Sequence, residues 1–296
     1  MSTRHDDGLS LLLLALAGVA TSGCAEGAGS VEVAIDGEQA AEIGYPAGDI
    51  AFADGWSMTF DHLFVAVEGF SLADAATSVP LEAPSTLVDL TGGEQIVWSF
   101  PSVPAQRWPN VGYDIAPPTS ATRRLGEVAQ SDLDAMIAAG ASFRMMGTAS
   151  HPTQGSFTLD LVLPLRIETH HCQSGRDGTD GLVVPASARY VTQITTHLDH
   201  LFFDSARAEE PALRFDAWAA VAGDDRVITL DDLETQQLAD LHDASGEPLL
   251  DDAGAPVIYE PPSTGLPRQT LGAFVIAQAI TIGHFEGEGH CEYVAR

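Results

Sequence analysis

Ten histidines and three cysteines hold most of the ligand and nucleophile chemistry open to this 296-residue chain. Six of the histidines fall in three short clusters. His170-His171 stands directly before Cys172, His197-Leu-Asp199-His200 follows, and His284 precedes His290, which stands directly before Cys291. Imidazoles joined by a carboxylate form the donor set that suits Zn²⁺ and Cu²⁺. His197 and Asp199 are two residues apart, so on a strand they share a face. The spacing reproduces no complete signature such as His-Glu-x-x-His. The same residues also suit a hydrogen-bonded cluster that holds no ion.

Composition removes several chemistries. All 13 basic residues are Arg, and without Lys there is no Schiff-base lysine, no phosphate-loop lysine and no Ser-Lys dyad. No Gly-x-Ser-x-Gly elbow and no dinucleotide fingerprint are present. With 42 acids against 13 bases the net charge is −29, which repels phosphate backbones and excludes nucleic acid as a natural partner. The same field attracts cations and favours solubility. Acids are so abundant that a carboxylate pair for glycoside chemistry could be drawn almost anywhere. Hydrophobic residues make up 45% of the chain, enough for a substantial core.

The first residues read as an export signal. Arg4 precedes a nearly unbroken apolar run from Leu9 to Ala20, too short for a permanent membrane span but suited to a secretory leader. Thr21-Ser22-Gly23-Cys24 resembles a bacterial lipobox, with Thr21 where such boxes usually carry Leu. That resemblance implies a signal peptide over 1–23 and a lipid-modified Cys24 as the mature terminus. The acyl chains would anchor it at ~0.8 kcal/mol per buried methylene. Residues 24–30 read as a flexible tether and 31–296 as one domain. The absence of Asp after Cys24 fits the bacterial outer membrane, or the periplasm.

With Cys24 assigned to lipid, Cys172 and Cys291 remain as an even pair. In an oxidising compartment a disulfide is the simplest outcome, worth ~4–5 kcal/mol in a chain-entropy account. It brings the two Cβ atoms to ~4 Å, and the neighbouring residues with them. The expected ligand set is therefore His170, His171, His197, Asp199, His200, His284 and His290, around zinc or copper.

Val221 to Asp232 resembles the second half of a calcium-binding EF-hand loop, with Asp225, Ile228, Thr229 and Asp232 in place. Val221, Gly223 and Arg226 stand where two carboxylate ligands and the turn glycine belong, which disfavours calcium.

Val31, Val33 and Ile35 alternate as a first strand, and Ile50 to Phe52 is another candidate. Trp56 to Phe70 is aromatic and β-branched with both faces apolar toward its end, as for a central strand. Further strands are expected near 86–90, 95–100 and 111–115, and over Arg189 to His200. Phe143 to Ser150 and Phe157 to Ile167 read as a hairpin around His151-Pro-Thr-Gln-Gly-Ser. Ser131 opens a short helix that Gly140 stops. Leu213, Ala217 and Val221, then Leu230, Leu233, Leu238 and Leu241 after Thr229, suggest two helices. Residues 270–282 fit either a helical stripe or a strand, with helix preferred. The expected fold is mainly β, an antiparallel β-sandwich with a helical hairpin insertion (degenerate EF-hand-like) near residues 206–242.

Beside the lipobox, Gly55-Trp56-Ser-Met-Thr-Phe, Met146-Gly147-Thr148-Ala149, His200-Leu-Phe and Gly287-Glu-Gly-His-Cys291 resemble segments of acidic lipoproteins of environmental Gram-negative bacteria. There is also a likeness to periplasmic β-sandwich proteins associated with copper and di-haem partner enzymes. Together these imply a lipid-anchored envelope protein that binds a metal or a protein partner. Two alternatives stay open: a metal-dependent periplasmic enzyme using the same histidines, and a structural envelope protein without a ligand.

Overall fold

The computed structural model describes residues 27–46, 52–251 and 253–295. The expected signal peptide and Cys24 lie outside them, as do Ile50 and Ala51 of one strand candidate. The chain runs through β1 (Ala28–Asp36), α1 (Glu38–Ile43), β2 (Ser57–Ala73), β3 (Ser78–Val79), β4 (Thr86–Asp89), β5 (Gln95–Pro104), β6 (Arg107–Trp108), β7 (Asn110–Ile115) and β8 (Arg123–Arg124). Then come α2 (Gln130–Ala139), β9 (Phe143–His151), β10 (Gly155–Leu163), β11 (Ile167–His170), β12 (Leu182–Val183), β13 (Arg189–Thr196) and a 3-10 turn (Leu198–Phe202). The last elements are α3 (Asp216–Ala219), β14 (Val227–Ile228), α4 (Leu230–Leu233), α5 (Leu271–Ala279), β15 (Gly283–Phe285) and β16 (Glu292–Ala295). Among the described residues no helix is long and apolar enough to cross a membrane.

The architecture is mainly β. A small sheet has the order β15-β13-β1-β5, and a large one runs β14-β10-β9-β2-β7-β11-β16 with β3, β4 and β8 attached. Alternation makes the hairpin: Phe143, Met145 and Ala149 on β9 and Phe157, Leu159, Leu161 and Leu163 on β10 all point into the core. β2 explains why its sequence is apolar on both faces. Leu63, Val65 and Val67 face the main core, while Phe64 and Ala66 face a second cluster with Leu133 and Met136 of α2. The main cluster takes Val31, Val33 and Ile35 from the small sheet and Leu63 and Tyr113 from the large one, so both sheets bury into one core.

Several expectations need correction. The sheets are mixed, since β1–β13, β10–β14 and β4–β8 pair in parallel. β1 begins at Ala28, inside the expected tether. The strand after Arg189 ends at Thr196. No helical hairpin forms over 206–242; α3 and α4 are single turns. Leu213 is drawn into a bridge with Phe203, and the Phe215 and Asp216 amides donate to Asp54 Oδ2 at 2.6 and 2.8 Å. Thr229 does cap α4 through a reciprocal pair with Asp232, but the Leu238 amide turns to the Gln269 carbonyl and stops propagation. Short helices are marginal on their own and yield to such tertiary bonds. In the calcium-like loop Arg226 itself takes the left-handed backbone, at φ 57°, and lays its guanidinium over Phe157. The loop thereby adds Val227–Ile228 to β10 as a strand, and Asp232 is consumed as a cap. Residues 271–279 are helical, with Thr270 accepting from the Ala273 amide.

Candidate metal centre

The centre is made where β13 and β15 pair. Their antiparallel register sets Thr195 opposite His284, and the next bond, His197 amide to Ile282 carbonyl at 2.8 Å, brings His197 beside it. The chain then tightens into the 3-10 turn Leu198–Phe202, which swings His200 back over the same spot. α5 packs against that turn, and Thr281 and Gly283 follow within four residues of its end at Ala279. Gly283 is required because a Cβ there would lie 2.6 Å from the Tyr113 hydroxyl.

His197, His200 and His284 each offer a ring nitrogen, and these atoms lie within 4.8 Å of one another. The ring centres of His197 and His284 are 4.1 Å apart. His197 and His284 are 5% and 3% exposed, yet His197 Nε2 and His284 Nδ1 are buried without a hydrogen-bond partner. A buried polar atom left unsatisfied costs roughly 1–3 kcal/mol, so two on touching rings call for a ligand. His200 is better provided. Thr281 gives its only hydroxyl proton to the Gln278 carbonyl at 2.8 Å, so its oxygen accepts from His200 Nδ1 at 2.8 Å. That bond fixes the tautomer and leaves Nε2 with a free lone pair, as an oriented metal ligand requires.

Electrostatics favour the neutral form of His284 and His200. Burial, then the neighbouring His197, His200 and His290 rings, push His284 down to about 3. Burial also lowers His200, opposed by Asp199. A neutral imidazole is the form that binds metal.

Two carboxylates flank the same spot. Glu38 Oε1 is 3.9 Å from His197 Nε2, and Glu288 Oε2 is 3.9 Å from His197 Nδ1. Glu38 is the first residue of α1, and its amide donates to Asp36 Oδ1. Glu288 sits on the loop between β15 and β16. That loop is clamped by Glu286, which accepts from Ser174 Oγ at 2.6 Å and the Tyr190 hydroxyl at 2.8 Å. Burial raises Glu38, partly offset by His197.

The other expected ligands are distributed differently. Cys172 and Cys291 are bonded, with sulfurs 1.98 Å apart. The bond does not recruit His170 and His171, which pack against each other while His170 pairs with Glu292 at 3.3 Å. His171 takes a left-handed backbone, φ 49°, so the extended geometry that would aim it at His290 is absent. His290 is exposed, with its ring 5.1 Å from that of His284, at the edge of the centre. Asp199 accepts from the His200 amide, and its field reaches His200 and Glu38. Sequence reasoning missed Glu38 and Glu288. Glu288 lies two residues before His290, the only signal it gave; Glu38 had none.

Comparison of the chain with protein-family models, with curated proteins and with solved structures finds no match in any of the three.

Proposed function

We propose that this is an exported cell-envelope protein that binds one first-row transition ion, Zn²⁺ or Cu²⁺, through His197, His200 and His284. The observation that carries the reading is the pair of buried, unpartnered ring nitrogens on His197 and His284, beside a third imidazole already oriented by Thr281. Three imidazoles are a donor set for zinc or copper rather than for calcium or magnesium, which prefer oxygen. Export and lipid anchoring at Cys24 are supported by the apolar leader and by the lipobox resemblance. The disulfide fits an oxidising compartment.

The enzyme alternative uses the same three imidazoles, since a three-histidine site keeps an open position for water or substrate. Binding is preferred because two of the ligands are almost wholly buried. Two surface depressions lie elsewhere, one lined by Glu82, Trp98 and Arg123, the other by Asp54, Arg214 and Asp216. Elemental analysis of protein purified without added metal is the test. About one zinc or copper per chain is expected, with loss in His197→Ala. Sub-stoichiometric metal that the substitution leaves unchanged would exclude the reading.

A further inference from the structure

The three-imidazole centre has an unbalanced charge. A divalent ion held by three imidazoles leaves two positive charges beside His197 and His284, which are 5% and 3% exposed, and the half-buried His200. Holding an uncompensated charge out of water is strongly unfavourable. Glu38 and Glu288 carry the compensating pair of negative charges, and their oxygens lie within 4.8 Å of each other and of a His197 nitrogen.

Neither carboxylate spends itself on His197. At 3.9 Å both contacts are beyond hydrogen-bond range, and His197 Nε2 keeps no partner. The two short contacts run to opposite nitrogens of the ring, but one oxygen of each carboxylate and one His197 nitrogen lie within 4.8 Å of one another, a grouping that small movements close around an ion held at ~2.0–2.2 Å from each. The side chains also step inward by exposure: Glu288 81%, Glu38 44%, His197 5%. A hydrated ion entering here exchanges water for carboxylate oxygen first and reaches nitrogen second.

Resting on the three-imidazole reading above, we propose that Glu38, His197 and Glu288 form an outer cation seat through which the buried centre is loaded and unloaded. His197 belongs to both seats and hands the ion between them. The protein then exchanges its ion with a hydrated or weakly chelated divalent species in the surrounding medium, and does not lock it away. Asp199 adds to the field at this mouth through its interaction with Glu38.

Stopped-flow exchange of Zn²⁺ against a fluorescent chelator, on the full chain, tests this. In the Glu38→Gln/Glu288→Gln double variant, uptake and release are both expected to slow by at least tenfold. A Glu209→Gln/Glu210→Gln control removes the same charge from exposed positions outside the group and should exchange at the wild-type rate. In His200→Ala a weaker zinc site should persist, and it should vanish when Glu38→Gln and Glu288→Gln are combined with it. Wild-type exchange rates in the Glu38→Gln/Glu288→Gln protein overturn the outer seat, as does equal slowing in the control. A wild-type chain that takes up no zinc at all overturns the underlying three-imidazole reading instead, so the two failures are distinguishable.

Discussion

His170 and His171 stand beside the Cys172–Cys291 bond, the first half-exposed and the second exposed, whereas strand pairing and a 3-10 turn gather buried His197 and His284 with half-buried His200. Adjacency to a covalent link gives the first pair nearness to each other and to Glu292. It buries neither ring fully and gives neither a hydrogen bond that fixes its tautomer as Thr281 does for His200. The second group has burial, a fixed tautomer at His200 and two unsatisfied nitrogens. Register, not the disulfide, builds the centre; the bond secures the loop that carries Glu288 and His290 over it.

Removing the bond separates these roles, with the largest effect expected on stability. Its sequence separation of 119 residues predicts that Cys172→Ser/Cys291→Ser lowers the unfolding free energy by about 4–5 kcal/mol in urea titrations. Zinc should still bind to the folded fraction, because β13 and β15 remain paired. Loss of zinc from folded double-serine protein would return the gathering role to the disulfide.

Next in size are the ligands. His197→Ala and His284→Ala should each weaken zinc at least 100-fold by isothermal titration, about 2.7 kcal/mol at 1.36 kcal/mol per decade. His170→Ala/His171→Ala should stay within about twofold, given the separate contacts of that pair. Equal losses in both would erase the contrast between the groups. Thr281→Val should cost about 10–100-fold in affinity by freeing the His200 ring, and Thr281→Ser should restore it.

Much of the framework could be read from residues alone. The alternation of Phe157, Leu159 and Leu161 wrote β10, and the two-faced apolar run in β2 wrote a central strand. The cysteine pairing and the helical choice for 271–279 were equally legible. What could not be read depends on long-range pairing. His284 joins His197 only because β15 pairs with β13, across many intervening residues. Glu38 was hidden among 42 acids and acts only because α1 delivers it to His197. The spacing of Leu213, Ala217 and Val221 was a true apolar stripe, but Asp54 captured the Phe215 and Asp216 amides and set the helix start at Asp216, leaving Leu213 outside it.

The same contrast reaches pH dependence. His284 falls to about 3 in the folded protein, below its free value near 6.5, so the unfolded chain binds the extra proton between those limits. Its contribution is therefore intact above about pH 6.5 and is lost as pH drops toward 3, at up to about 1.4 kcal/mol per pH unit. Metal-free wild-type protein should lose melting temperature between pH 6.5 and 4, and His284→Asn should shallow that slope. His170→Ala/His171→Ala should leave it unchanged. An identical slope in His284→Asn would remove the buried imidazole from the account.

The most direct test of the centre is zinc K-edge X-ray absorption on the loaded full chain. Three imidazoles predict nitrogen scatterers near ~2.0–2.1 Å with the outer-shell pattern of histidine rings, diminished by one ring in His200→Ala. A shell of oxygen alone, or one that the substitution does not change, would contradict the assignment of His197, His200 and His284 as the metal ligands.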